Sequence, residues 1–463
     1  MRIVKFAAKS IYGFLNFDIP FREDVTFLTG INGTGKTTIA KCIYWLLAPS
    51  IYDLCVTSYS ELEVIVKQKG EDLVITARKS RGKLKFSVKG IKEPLTVPLI
   101  SEQQSSFPDT GRDEAFEYYS EFAVANSDHP VLQRLDTLPT PMFLGLERRG
   151  LDRAFRRLRG LRRPVRIPAR RREPSIFSAT LVEGLREAVS LAEETFREVS
   201  AKQRKEDEKL RNEILLSAIS YVSSAERGLA SDLRKELFDE KALKRTMQLM
   251  KGTLVRLGLP EPELERELTP LEEKVAWISR HIKRPDLSQR DIDRIFETED
   301  KEKMSALIEW TMQSPHFGRI NKIVSHIRTY AKESKKINEE ITEYIKTVNK
   351  FLNDSDKEIY FNEPGYLRVK TKSEESASVM TLSSGESQVF VIITHIAFNP
   401  SARLANALII DEPELSLHVK WQELFVDSIR ETNPSIQLVL ATHSPSIILD
   451  RIDHCVDLNT VKA

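Results

Sequence analysis

Gly30-Ile31-Asn32-Gly33-Thr34-Gly35-Lys36-Thr37 fits the pattern G-x-x-x-x-G-K-S/T in full. This order of residue types suits the holding of a phosphate chain. Glycines accept positive φ and let backbone N–H groups approach an anion. A helix starting at Lys36 would add the partial positive charge of its N-terminus. Asn32, Gly33, Thr34 and Gly35 are then expected to line the cradle. Lys36 is expected at the β- and γ-phosphates, Thr37 on Mg²⁺ and Thr38 near the α-phosphate. The loop thus predicts ATP and Mg²⁺ as cofactors. Three further segments carry compatible chemistry. Ala407–Ile410 (ALII) ends in Asp411-Glu412-Pro413, and a buried parallel strand would deliver both acids to the carboxyl edge of a sheet, where α/β folds bind ligands. Asp411 is expected in the Mg²⁺ shell and Glu412 as the group that polarises the attacking water. Leu382-Ser383-Ser384-Gly385-Glu386-Ser387-Gln388 precedes the apolar run VFVII and reads as another helix N-terminus able to meet phosphate. Ala441-Thr442-His443-Ser444-Pro445 follows IQLVL, and a histidine at a strand end can hydrogen-bond a terminal phosphate.

These residues need elements to position them. Arg2–Phe6, Leu15–Ile19 and Asp24–Thr29 read as short strands, and Lys36–Leu47 as a helix, with Ile39, Cys42, Ile43, Leu46 and Leu47 on one face. Leu62–Val66, Asp72–Arg78 and Lys83–Val88 read as a meander turning at Lys69-Gly70 and Arg81-Gly82. Met142–Leu146 is one more apolar strand. The middle of the chain changes character. Residues 180–222 form a long, charge-rich helical pattern, with further helices expected at about 238–256, 266–283, 286–313 and 319–353. The heptads are too imperfect for a long coiled coil, so a hairpin or bundle is expected. From Glu358 the pattern returns to α/β. The fold class predicted is α/β, one head formed by N- and C-terminal segments with helices inserted. Its expected limits are 1–147 for the first half, 148–175 for an arginine-rich linker, 176–357 for the helical insertion and 358–463 for the second half.

The 463 residues suffice for two or three domains, and 30% charged residues mark a soluble globular chain. No apolar stretch approaches the roughly 18 residues of a membrane span. The N-terminus has no secretory signal pattern, so no membrane and a cytoplasmic location are expected. Cys42, Cys55 and Cys455 lie far apart, which excludes a disulfide framework and a zinc ribbon. His281, His316 and His326 have no metal-ligand spacing and read as surface or packing residues. The net charge of +2 hides an asymmetry: Arg148–Arg172 holds twelve arginines and one acid, for +11 against −9 elsewhere. Such a block reads as a binding surface for nucleic acid or an acidic protein.

Taken in order, GINGTGKT, LSSGES, ALIIDEP, ELSLH and ATHS resemble the ABC-type ATPases, and more closely their RecF, SMC and OLD-like branch. The resemblance covers about 1–145 and 358–463. It implies an ATPase in which two chains sandwich two ATPs, so that Ser383 and Gly385 meet the nucleotide of a partner copy; Ser384 and Glu386 of the same segment are also expected to bind nucleotide. It also implies that Ser416 lies in the D-loop at that interface, that His443 is the γ-phosphate switch and that Glu412 is the catalytic base. The sequence departs from the family where Ser384 replaces a common glycine and Glu386 the glutamine of transporters. No glutamine follows Met142–Leu146, and Lys9-Ser10-Ile11-Tyr12 lacks a frequent arginine.

OLD-like nucleases carry a C-terminal Toprim domain, whereas 20 residues follow His443. The expectation is therefore an ATPase subunit whose Toprim- or HNH-type nuclease effector is a separate protein. That build resembles the ATPase subunits of anti-phage systems, AriA of PARIS or PtuA of Septu. It implies a homo-oligomer, a dimer of heads at minimum and a hexamer in the defence relatives, with Arg148–Arg172 contacting a phage trigger protein or nucleic acid. The alternative is a RecF- or SMC-like repair or chromosome-maintenance ATPase that binds DNA directly.

Overall fold

Strands β1 (Arg2–Ile11), β2 (Leu15–Pro20) and β3 (Val25–Thr29) lead into helices α1 (Lys36–Leu47) and α2 (Ile51–Val56). A meander follows of β4 (Glu61–Gln68), β5 (Glu71–Ser80), β6 (Lys83–Val88) and β7 (Leu95–Pro98), then α3 (Thr110–Ala125), α4 (Pro130–Asp136) and β8 (Met142–Leu144). The helical stretch comprises α5 (Leu181–Ile219), α6 (Glu240–Arg256), α7 (Glu261–His281), α8 (Gln289–Glu297) and α9 (Lys301–Leu352). The chain then runs through β9 (Glu358–Phe361), β10 (Leu367–Lys370), α10 (Ser384–Phe398), α11 (Pro400–Ala405), β11 (Ala407–Asp411), α12 (Val419–Thr432), β12 (Gln437–Ala441), α13 (Pro445–Ile448) and β13 (Cys455–Asp457). This computed structural model describes residues 1–100, 110–145, 181–219, 239–282, 289–297, 300–415 and 417–460. The arginine block 148–172 and Ser416 lie outside the described residues, as does the position after β8 where a glutamine is absent.

Two compact units emerge, one of residues 1–196 and 342–463 and one of residues 197–341. The first holds three sheets, the smallest a two-stranded pairing of β9 with β10. Six strands in the order β2-β1-β4-β5-β6-β7 form an antiparallel sheet. Its hairpins turn where the sequence predicts, with Lys69 and Gly70, and Arg81 and Gly82, all at positive φ, the geometry that matches strand twist in two-residue loops. The second sheet is parallel, in the order β13-β3-β12-β11-β8. Every residue of β11 and β12 is buried, as continuous apolar runs in a covered parallel sheet must be. Its strands come from both ends of the chain, so neither terminal segment can form it alone. Gln437 ties the sheets together. β2 pairs with β1 only from Lys5 onward, and beyond that point the Gln437 amide substitutes for a neighbouring strand. Its Oε1 accepts from the Ile3 N–H at 2.7 Å, and its Nε2 donates to the carbonyls of Ile3 and Arg22, both at 2.7 Å.

The unit of residues 197–341 is helical, with a core that includes Leu210, Leu243, Met250, Ile278, Leu307 and Ile327. Gln203 of α5 bonds Tyr330, Ser334 and Asn338 of α9, while Glu213 pairs with His326. As numbers rise along α5 they fall along α9, so the two pack antiparallel. The sequence places a break between two helices at 313–319. The structure instead runs α9 unbroken for 52 residues, because Leu307, Val324, Ile327 and Tyr330 share one buried face of the same core. Helix α7 also starts earlier than expected, at Glu261. Pro262 suits a first turn that needs no N–H, and Glu261 and Glu263 suit its dipole. His281 meets Trp277 and Glu302. No group of three potential metal ligands occurs among the described residues. No described helix is long and apolar enough to cross a membrane.

Candidate functional site

The loop after β3 has the backbone a phosphate cradle requires. Gly30, Gly33 and Gly35 all sit at positive φ, +145°, +88° and +100°. Gly35 is the N-cap of α1, so the helix opens directly onto the loop and aims its free N–H groups there. A Cβ at Gly35 would lie 3.1 Å from the ring of Phe17, a core residue of β2. Asn32 and Gly33 are exposed at the crest of the loop, while Thr34, Thr37 and Thr38 are half-buried. Thr34 closes the turn, its hydroxyl donating to the Ile31 carbonyl at 2.9 Å. Lys36 folds back on the loop, donating to the carbonyls of Gly30 at 2.7 Å and Ile31 at 3.2 Å. An ammonium held only by neutral carbonyls is readily transferred to an anion.

Strand order brings the distant segments to this loop. β12 lies between β3 and β11, so His443, Asp411 and Glu412 leave adjacent strands at the same carboxyl edge. Thr37 donates from Oγ1 to Asp411 Oδ1 at 3.0 Å, across 374 residues of sequence. Asp411 Oδ2 is buried with no hydrogen-bond partner. Burial pushes this carboxyl up to about 6. The Thr37 hydroxyl opposes the shift, and Glu412 adds to it. A hydroxyl, a carboxylate and an unused buried oxygen form a hard donor set that fits Mg²⁺. Glu412 has φ +52°, a strained conformation for a residue with a Cβ. Its N–H donates to the Ala441 carbonyl at 2.8 Å, which fixes where the chain turns off β11.

Two residues that sequence reading left without a role complete this edge. Glu414, 10% exposed, accepts from the Thr442 hydroxyl at 2.8 Å and the His443 N–H at 3.1 Å, and its Oε1 lies 3.1 Å from His443 Nδ1. Gln422 of α12 accepts from the Ser444 hydroxyl at 2.6 Å. The signal for Glu414 was its place three residues beyond Asp411, at the turn after a buried strand.

At the start of α10, Ser383 and Ser384 are exposed. Ser383 is the N-cap in a capping box with Glu386. The Glu386 side chain, expected to contact nucleotide, is 3% exposed and turned inward. Its Oε2 accepts from the Ser383 N–H at 2.6 Å and from Lys357 Nζ at 2.8 Å. Burial works against its charge, but Lys357, Ser355 and the Ser383 N–H outweigh it and hold the carboxyl below its ordinary range. Glu386 therefore shapes the cap, while Ser383 and Ser384 remain exposed at the helix start.

Residues 283–450, which contain the α10 cap, Asp411, Glu412 and His443, match the AAA_21 family, described as "AAA domain, putative AbiEii toxin, Type IV TA system". The chain is 32% identical over 162 residues to "Retron Vc95 probable ATPase" of Vibrio cholerae serotype O1 biovar El Tor, covering 33% of this chain and 29% of that protein. It is 29% identical over 134 residues to "Retron Ec83 probable ATPase" of Escherichia coli, covering 24% of each. The matches thus span under a third of these relatives. Among solved structures, the Smc head domain of Pyrococcus furiosus with an extended coiled coil, bound to the C-terminal domain of ScpA, aligns over 98% of this chain and 93% of that one. The identity is 14% and the TM-score 0.39. The fold is α/β: a glycine-rich loop on a parallel sheet drawn from both ends of the chain, a flanking antiparallel sheet, and helices inserted between the two halves.

Proposed function

We propose that this chain binds and hydrolyses MgATP, and that it serves as the ATPase subunit of an anti-phage defence complex controlling a separate nuclease. The observation that carries the first part is the Thr37–Asp411 contact beside the glycine cradle, with Glu412 and His443 on the same sheet edge. Bound there, Mg²⁺ would neutralise charge on the outer phosphates. Lys36 leaves its loop carbonyls for the β- and γ-phosphates. The N–H groups of Gly33–Thr37 surround the β-phosphate. Glu412 takes the proton of the attacking water, its direction set by the Glu412–Ala441 backbone bond. His443 contacts the γ-phosphate. Ser383, Ser384 and Gly385 form a second phosphate-facing helix start that meets the nucleotide of a partner copy, so the working unit is at least a dimer of heads, with a hexamer as its larger closed form.

The likeness to ATPases of retrons supports a defence setting. Within it the finer reading is an AriA- or PtuA-like subunit paired with a Toprim- or HNH-type effector, with Arg148–Arg172 contacting an acidic trigger protein or nucleic acid. ATP binding closes the composite sites, and a trigger shifts the assembly to release or activate the nuclease. The test is co-purification of tagged Glu412→Gln protein in MgATP, expressed with its native genomic neighbours. A stoichiometric nuclease is the expected result. Recovery with DNA alone would replace this reading with the repair or chromosome-maintenance one.

A further inference from the structure

Glu414 collects three donors from one strand end. The Thr442 hydroxyl and His443 N–H reach its two carboxylate oxygens at 2.8 and 3.1 Å, and His443 Nδ1 stands 3.1 Å from Oε1. Thr442 is in turn fixed by the Ser444 N–H, which donates to its hydroxyl at 3.0 Å. The pair is asymmetric: the Glu414 side chain is 10% exposed and that of His443 is 54% exposed. One edge of the imidazole is clamped and the other is open. His443 also borders a cleft of about 420 Å³ together with Thr29 and Gly30, where the phosphate loop begins. His443 and the start of the loop therefore border one space.

We propose that Glu414 is a positioning residue that aims His443 at the terminal phosphate of ATP, so that discrimination of ATP from ADP depends on the Glu414–His443 pair. This rests on the reading that the loop binds ATP. The carboxylate takes Nδ1–H and leaves Nε2 as the outward group. A ring held in this way presents Nε2 to a phosphate oxygen, as a donor when both ring nitrogens carry protons. The two residues leave neighbouring strands, β11 and β12, so a ligand read by the histidine is also sensed at the strand that carries Asp411 and Glu412.

The experiment measures binding of MgADP and of the non-hydrolysable Mg-β,γ-imido-ATP to the whole chain. It compares wild type with Glu414→Ala, Glu414→Gln, His443→Ala and the Glu414→Ala/His443→Ala double variant. Charge-assisted hydrogen bonds are worth about tenfold or more in affinity. Wild type is expected to prefer the triphosphate by about tenfold, and each single variant to lose that preference with ADP affinity unchanged. The double variant is expected to bind as His443→Ala does, since the two act as one unit. Glu414→Gln keeps the side-chain volume and the fold, and its loss of preference with an unchanged thermal midpoint separates aiming from folding. Retained preference in both Glu414 variants, or losses that add fully in the double variant, would overturn the assignment while leaving ATP binding intact. A wild type that binds neither nucleotide would overturn the ATP reading and this assignment with it.

Discussion

Replacing Gly33 and Gly35 separately by alanine isolates two ways in which a phosphate loop fails. Both residues hold positive φ, +88° and +100°, so a Cβ at either position carries about 1–2 kcal/mol of left-handed strain. At Gly33 nothing lies within 4 Å of the added Cβ. The free loop can relax there, and only nucleotide binding must restore the strained turn. The expected outcome for Gly33→Ala is an unchanged thermal midpoint and a five- to thirtyfold weaker MgATP affinity, since about 1.4 kcal/mol is tenfold. At Gly35 the new Cβ meets Phe17 at 3.1 Å and Leu15 at 3.4 Å, both core residues of β2. Gly35 also caps α1, so relief means moving the start of the helix. Overpacking adds about 1–3 kcal/mol to the strain. Gly35→Ala should therefore lower the thermal midpoint by a few degrees and weaken MgATP by a further five- to hundredfold relative to Gly33→Ala. Equilibrium nucleotide titration and thermal unfolding of the whole chain measure both effects. Equal affinities and midpoints for the two variants would refute the claim that the Phe17 contact fixes the helix start.

Glu412→Gln should retain ATP binding and abolish turnover, read as bound nucleotide after gel filtration against phosphate release; full turnover would mean that another group is the base. Gln437→Leu should lower stability by about 2–3 kcal/mol, because it strands the buried Ile3 N–H and carbonyl and removes the bond to the partly buried Arg22 carbonyl; chemical denaturation measures it. Burial lowers the His395 imidazole to about 4, from an ordinary value near 6.5. The unfolded chain therefore takes up a proton that the fold refuses as pH falls from 6.5 to 4, and stability is lost over that window, by about 2 kcal/mol at pH 5. In His395→Gln the drop in stability between pH 7.5 and pH 5 should shrink by that amount.

Much of the fold was legible because its signals are local. The α1 limits, Lys36–Leu47, agree residue for residue with the apolar spacing, and the glycine turns at 70 and 82 fall where two-residue hairpins need positive φ. β1 was less legible. It reads as ending at Phe6 but extends to Ile11, because β4 on one side and β2 on the other pair with its second half. The unbroken α9 was hidden for the same reason, since packing against a shared core overrode a local break. In the site, motif residues could be named from spacing, but Glu386 could not be told from a ligand contact. Its inward turn depends on Lys357, 29 residues upstream.

The sequence by itself determined the loop chemistry, the order of the motifs and the alternation of α/β, helical and α/β segments, because backbone conformation at glycines and the periodicity of apolar residues are properties of neighbours. Only the tertiary structure decided which motifs meet. Thr37 reaches Asp411 across 374 residues, and Glu414 clamps His443 across 29. Both contacts depend on β12 lying between β3 and β11, and strand order in a parallel sheet is set by which crossovers bury the most apolar surface, a choice that no short stretch of chain can encode.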